Sequence, residues 1–253
     1  MASITQRIKQ IKQPRGGYIK PKECDVFPQG DDGITIEDGN ISPNLVGLAV
    51  DYLTRFECGA KPEHAFIYAL HGAKCINQFE NGIRLLLKIK GLDDQSIISA
   101  CKLVGYDVCY REGEKGFVPV ETINPDTKTI VNIRFMVIRS KAFFCRFGPV
   151  VREGFRLNGA YTDLITVGDG DFLTADTLWE FKVLRGNITK DYTLQLLIYY
   201  LMGLRSNHQE QFRQLTKLGI FNPRLNFAYL LNIADIDPQV IEEVNTKVIG
   251  YQS

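Results

Sequence analysis

An aspartate on one apolar run, a Glu-x-Lys on the next and a Gln-x-x-x-Tyr beyond them all fall within residues 159–200, GAYTDLITVGDGDFLTADTLWEFKVLRGNITKDYTLQLLIYY. The groups are Asp163, then Glu180 with Lys182, then Gln195 with Tyr199. Carboxylates gathered in a cleft repel one another unless a cation neutralises them. A hard divalent ion such as Mg²⁺ takes oxygen ligands and keeps several waters. It also lowers the pKa of a bound water. A lysine beside it can neutralise the charge that builds on a phosphate under attack, and one preorganised donor of that kind is worth about 3–4 kcal/mol. These residue types therefore suit metal-assisted hydrolysis of a phosphodiester.

The surrounding residues must place those groups. Residues 178–184, LWEFKVL, are aromatic and branched and read as a strand. Side chains alternate along a strand, so Trp179, Phe181 and Val183 share one face while Glu180 and Lys182 share the other. Residues 161–167 read as a second strand, with Gly168-Asp169-Gly170-Asp171 as the turn between them. An antiparallel hairpin would then set Asp163 beside Glu180 and Lys182. Asp169 and Asp171 could also reach a metal, but turn chemistry accounts for them. Gln195 and Tyr199, four apart, share one face of a helix expected over 192–204.

Upstream, Ser42 followed by Pro43 predicts a helix start. Gly47 would let that helix approach a sheet closely, and Asp51, one turn on, could supply a further acid, with Glu57 as fallback. Asn124-Pro125-Asp126-Thr127-Lys128 spells similar letters, yet Asn, Pro and Asp there signal a turn or helix start rather than a strand.

Asp163, Glu180 and Lys182 resemble the D…(D/E)-x-K signature of the PD-(D/E)XK nuclease superfamily. Gln195 to Tyr199 resembles the Q-x-x-x-Y helix of its RecB-like branch. The likeness runs over about 44–233 in layout but is specific only within 159–200, and Thr162 stands where the superfamily expects proline. The resemblance implies an α/β (α+β) fold with a restriction-endonuclease-like core: a central mixed sheet flanked by helices, carrying a helical insertion near 61–112 within a domain over 41–253. It implies a metal-dependent deoxyribonuclease that uses Mg²⁺ or Mn²⁺ held by Asp163, Glu180, Phe181 and Asp51. Catalysis would fall to Asp163, Glu180 and Lys182, with Gln195 and Tyr199 placing the site and the DNA.

Residues 1–40 form a basic arm and an extended segment in this reading. Arg15 within the arm, and Arg185 and Lys190 beside the site, are expected to follow a phosphate backbone. Two other classes suit the same residues: a non-catalytic nucleic-acid- or protein-binding module on a nuclease fold, and a hydrolase of small nucleotides.

Whole-chain properties narrow the setting. At 253 residues and 45% hydrophobic the chain can bury a core as one enlarged domain or two small ones. A formal net charge of +1 gives no global attraction to nucleic acid. No apolar run reaches the length of a membrane span, and the N-terminus lacks the core of a secretory signal, so a cytoplasmic protein without membrane contact is expected. The cysteines include no C-x-x-C and none follows Cys145, so buried free thiols without an iron–sulfur cluster are expected. The histidines lack zinc spacing. No G-x-x-x-x-G-K-[ST] occurs, so any ATP motor would lie on a partner chain. DNA is the expected partner, with a homo-oligomer or a larger recombination or defence complex compatible with it.

Overall fold

The central strands bury residues on both faces, and apolar residues recur with helical spacing in the helices. The computed structural model describes residues 2–252, apart from the side chain of Glu112. The chain divides into two compact units. One comprises the chain up to Asp32 and from Phe144 on; the other is Gly33–Phe143.

The first unit is α+β. Its helix α1 (Ile4–Gln10) and strand β1 (Asp25–Pro28) come from the N-terminal segment. The second unit holds α2 (Pro43–Glu57), α3 (Pro62–Ala65), α4 (Ile67–Cys75), α5 (Phe79–Leu86), α6 (Asp94–Val104) and α7 (Asp107–Glu112). Helix α8 (Thr127–Phe147) begins in this unit, and its last turn belongs to the first. The chain then continues through β2 (Arg152–Arg156), β3 (Asp169–Leu173), β4 (Thr177–Phe181), α9 (Lys190–Gly203), α10 (Gln209–Phe212), β5 (Lys217–Asn222), β6 (Phe227–Asn232) and α11 (Pro238–Glu243).

The described strands make one six-stranded mixed sheet in the order β1-β6-β5-β4-β3-β2. Every neighbouring pair is antiparallel except β4 with β5. A parallel pair needs a crossover, and α9 supplies it between β4 and β5. Residues Thr193 to Gly203 are almost wholly buried, as expected of a helix that is apolar all round. Leu194, Leu197 and Ile198 join Leu178, Leu218, Ile220 and Leu231 of the sheet in one core.

The opposite alternation is aromatic. Phe144 stacks on Phe181 at 5.3 Å, Phe181 meets Phe221 at 5.1 Å, and Trp179 meets Phe147 at 5.1 Å. Such pairs add about 0.5–1.5 kcal/mol each beyond the area they bury. Trp179 has room because Gly219 stands opposite it in the parallel register; a Cβ on Gly219 would fall 2.4 Å from the indole.

Three sequence expectations need correction. The helical unit is Gly33–Phe143, far broader than 61–112, and takes in the helix bearing Asp51. The N-terminal segment is no free arm. Ser3 and Gln6 form a capping box at α1, Ile4 and Ile8 enter the core, and β1 pairs with β6. Residues 161–167 are not a strand of the sheet either. Thr162 Oγ1 accepts from the Leu164 and Ile165 backbone N–H groups at 3.2 Å each, closing a tight turn. The Val167 carbonyl and the Thr166 N–H bond residues Ile4 and Ala2 instead.

Helix starts follow their local signals. Ser42 Oγ accepts from Leu45 N–H at the head of α2, with Pro43 at its first position. Asp126, in the rejected Pro-Asp run, accepts from Thr129 N–H at 2.7 Å and so begins α8. No helix among the described residues is long and apolar enough to cross a membrane.

Candidate functional site

Strand β3 pairs with β4 through Phe172 opposite Trp179 and Leu173 opposite Leu178. With period two, Asp169, Asp171 and Leu173 share the face of Leu178 and Glu180, which is the face α9 covers. Gly170, between the two aspartates, is fixed by packing: a Cβ there would fall 2.2 Å from the Phe155 ring. From Asp169 on the Gly-Asp-Gly-Asp run is therefore strand, and the turn comes at Thr174–Thr177, closed by Thr174 N–H donating to the Thr177 carbonyl at 3.0 Å.

Glu180 lies on the last part of β4 and is only 4% exposed. A carboxylate so deep costs several kcal/mol unless donors compensate it. Lys182 Nζ donates to Glu180 Oε1 at 2.7 Å, and Gln195 Nε2 donates to the same oxygen at 3.1 Å. Gln195 Nε2 also reaches the Tyr199 hydroxyl at 2.8 Å. The helical i, i+4 pair and the strand pair thus meet on a single carboxylate oxygen. The other oxygen, Glu180 Oε2, is buried with no hydrogen-bond partner.

Asp171 completes the group. The Phe181 backbone N–H donates to Asp171 Oδ2 at 2.9 Å, which anchors this carboxylate at the end of β4. Burial pushes Glu180 above the ordinary carboxylate range; the charge and hydrogen bond of Lys182 draw it back, the charge of Asp169 raises it, and a carboxyl–carboxyl contact with Asp171 lowers it. Burial works against the Lys182 ammonium, but Glu180 and Asp171 outweigh it and hold its pKa above the usual lysine value. Tyr199 is raised well above an ordinary phenol, first by burial and then by Glu180, so it stays neutral.

Past the end of β4 the backbone is still held in line. Lys182 N–H donates to the Phe221 carbonyl at 3.0 Å. The buried Asn222 amide then brackets Leu184, accepting from its N–H at 3.2 Å and donating to its carbonyl at 3.0 Å. This fixes the stem from which Lys182 reaches back. Tyr192, in the first turn of α9, places its ring 5.6 Å from Lys182 Nζ.

The expected site residues separate into two sets. Glu180, Lys182, Gln195 and Tyr199 converge. Asp163 does not join them: it sits exposed in the bend of the Thr162 turn, and the acid that lies opposite Glu180 on β3 is Asp171. Asp51 belongs to the helical unit, where Arg55 grips both its oxygens at 2.9 and 3.0 Å. Glu57, its fallback, pairs with Lys141 at 2.7 Å. Arg15 and Arg185 are exposed, and Lys190 abuts the Gly16–Gly17 turn, where a Cβ on Gly17 would fall 2.6 Å from Lys190 Cβ. Asp171, Asn222 and Tyr192 are the residues the sequence reading set aside or missed. For Asp171 a signal existed, since Asp169-x-Asp171-x-Leu173 keeps strand alternation with Phe172.

The donor set fits a hard cation. Among the described residues no three or more His, Cys, Asp or Glu side chains group as a self-sufficient metal cage. Mg²⁺ rarely needs one: it is usually bound through one or two carboxylates plus substrate oxygens and water. Asp171 and Oε2 of Glu180 are the oxygens of this cluster that such an ion could use; the Phe181 ring cannot ligate, so only its backbone carbonyl could serve. A separate recess of about 700 Å³ in the helical unit, whose lining includes Lys74, Gln78, Phe79, Asn81, Arg84 and Glu121, holds no residue of this cluster. Comparison with family models, with curated proteins and with solved structures returns no match to this chain.

Proposed function

We propose that the chain is a divalent-metal-dependent nuclease that hydrolyses DNA phosphodiester bonds, with Asp171 rather than Asp163 as the first acid of a D…E-x-K site. One observation carries the reading: Glu180 is buried, takes both of its donors on one oxygen and leaves the other bare. A purely structural carboxylate at that depth would cost stability without return. The sheet order supports a restriction-endonuclease-like core, since α9 crosses between parallel β4 and β5 and carries Gln195 and Tyr199 onto the acid of β4.

Asp171 and Glu180, with the Phe181 carbonyl, would hold Mg²⁺ or Mn²⁺. When bound, such a cation supplies Lewis acidity to the phosphoryl oxygen and acidity to a water. The chain's own residues do the rest. Gln195 fixes the rotation of Glu180 by bonding Oε1, which keeps Oε2 directed away from the helix partner. Tyr199 holds the Gln195 amide. Lys182 brings a fixed positive charge to the spot where a phosphorane gathers negative charge, and the low-dielectric setting strengthens it. Arg15, Lys190 and Arg185 would bind the flanking phosphates.

The test is cleavage of linear double-stranded DNA, single-stranded DNA, RNA and free nucleotides with Mg²⁺ or Mn²⁺, with and without EDTA. Cleavage of DNA that EDTA abolishes and Glu180→Gln removes is the expected outcome. Cleavage of free nucleotides alone would move the reading to a nucleotide hydrolase. Tight DNA binding with no turnover under any metal would leave a binding module.

A further inference from the structure

We infer that Tyr192 is a positioning residue for Lys182: its ring face holds the ammonium over the acid cluster. The inference rests on the nuclease reading of that site and extends it to a residue outside both sequence signatures.

Lys182 has left regular strand, and its stem is long and flexible, with about 2 kcal/mol of rotamer entropy in a free side chain. Beside the charge of Asp171, two groups lie close to its ammonium. Glu180 Oε1 lies 2.7 Å away, and the Tyr192 ring centroid lies 5.6 Å away, within range of a cation–π interaction. The side chain is 22% exposed, so the ring acts on a partly desolvated charge, where such contacts are strongest.

The two flanking groups do different work in a metal-dependent reaction. With a cation bound, Glu180 would share its charge with it, and its hold on Lys182 would weaken. The quadrupole of an aromatic ring is indifferent to that change. Tyr192 therefore keeps the ammonium in place when Glu180 is engaged. Its own position is fixed independently. Tyr192 N–H donates to the Thr189 carbonyl at 3.1 Å in the first turn of α9, and the ring packs on the core. The neighbouring turn is clamped to the N-terminal segment by Asp191, which accepts from Gln13 at 2.6 Å, and by Thr193, whose hydroxyl donates to the Ile19 carbonyl at 2.7 Å.

The experiment compares Tyr192→Phe, which keeps the ring, with Tyr192→Leu, which keeps apolar bulk without a π face. Steady-state cleavage of DNA gives kcat and KM, and fluorescence anisotropy in EDTA gives DNA affinity. Tyr192→Phe is expected to stay within about 2-fold of wild type, whereas Tyr192→Leu loses about 10-fold in kcat with KM and DNA affinity unchanged. Equal kcat in wild type and Tyr192→Leu overturns the inference. So does an equal loss in Tyr192→Phe, which would assign the effect to the hydroxyl. A loss confined to KM or to affinity also overturns it, because the ring would then be contacting DNA. A wild type without metal-dependent turnover removes the nuclease reading and this inference with it; a wild type that cleaves while Tyr192→Leu matches it removes this inference alone.

Discussion

Two buried carboxylates, one in each unit, meet opposite treatment. Asp107 of the helical unit is 1% exposed, and both its oxygens are engaged: the Tyr52 hydroxyl donates to Oδ2 and Arg111 Nε donates to Oδ1. Glu180 of the sheet unit is nearly as deep, yet both of its donors crowd onto Oε1 and Oε2 has none. A carboxylate with every oxygen matched holds helices together. One kept dry and half-bare is a local conflict, and folded proteins retain such conflicts mainly where chemistry is done. On the proposed reading, the difference separates a structural acid, Asp107, from a catalytic one, Glu180.

Breaking the functional acid should have the largest effect. Lys182→Ala and Glu180→Gln are each expected to lower single-turnover DNA cleavage by about 10²–10³-fold, while Asp107→Asn leaves it within about 2-fold. Comparable losses at Asp107 and Glu180 would erase the distinction.

Stability should respond the other way. Asp107→Ala strands the buried Tyr52 hydroxyl and removes the carboxylate partner of Arg111, and urea unfolding is expected to show a loss of about 2–3 kcal/mol. The loss stays at the lower end for a broken pair because Arg111 is 41% exposed and water can solvate it.

Glu180→Gln should leave the protein as stable or more so. An amide costs less to bury than a carboxylate, and its oxygen can still accept from Lys182. The sign with pH follows from the raised pKa of Glu180. The folded state holds the proton more tightly than the unfolded chain. The glutamate's contribution is therefore most favourable in acid and is lost as pH rises through its folded pKa. A Tm gain of roughly 2–5 °C is expected at pH 8, shrinking toward zero in acid. A loss of Tm at pH 8 would mean that the Glu180–Lys182 pair is a net stabiliser, as Asp107 is.

Much of this arrangement could be read from the chain, and the exceptions share a cause. Strand β4, helix α9 and the start of α2 follow local signals: aromatic alternation, the Gln195–Tyr199 spacing and the Ser42-Pro43 start. The failure at Asp163 came from a run whose local chemistry misleads. Gly168-Asp169-Gly170-Asp171 has the composition of a turn and low strand propensity. From Asp169 on it becomes strand because Ile4 packs on Gly168 and Phe155 on Gly170, contacts from distant parts of the chain. Conversely Thr162, within a run of strand-like residues, closes a turn with its own hydroxyl. The N-terminal segment reads as an arm by its basic charge, although Ser3-x-x-Gln6 and the four-residue spacing of Ile4 and Ile8 spell a capped amphipathic helix. Asn222 and Tyr192 carry no motif at all; only the parallel β4–β5 register and the crossover helix bring them to Lys182.

The most direct test sets the two candidate first acids side by side: cleavage of linear DNA in Mg²⁺ or Mn²⁺ by Asp171→Asn and Asp163→Asn, each confirmed folded by its melting curve. Asp171→Asn is expected to lose turnover by about 10²-fold or more, and Asp163→Asn to match the wild type. Full activity in Asp171→Asn, or collapse in Asp163→Asn alone, would contradict a site built from Asp171, Glu180 and Lys182.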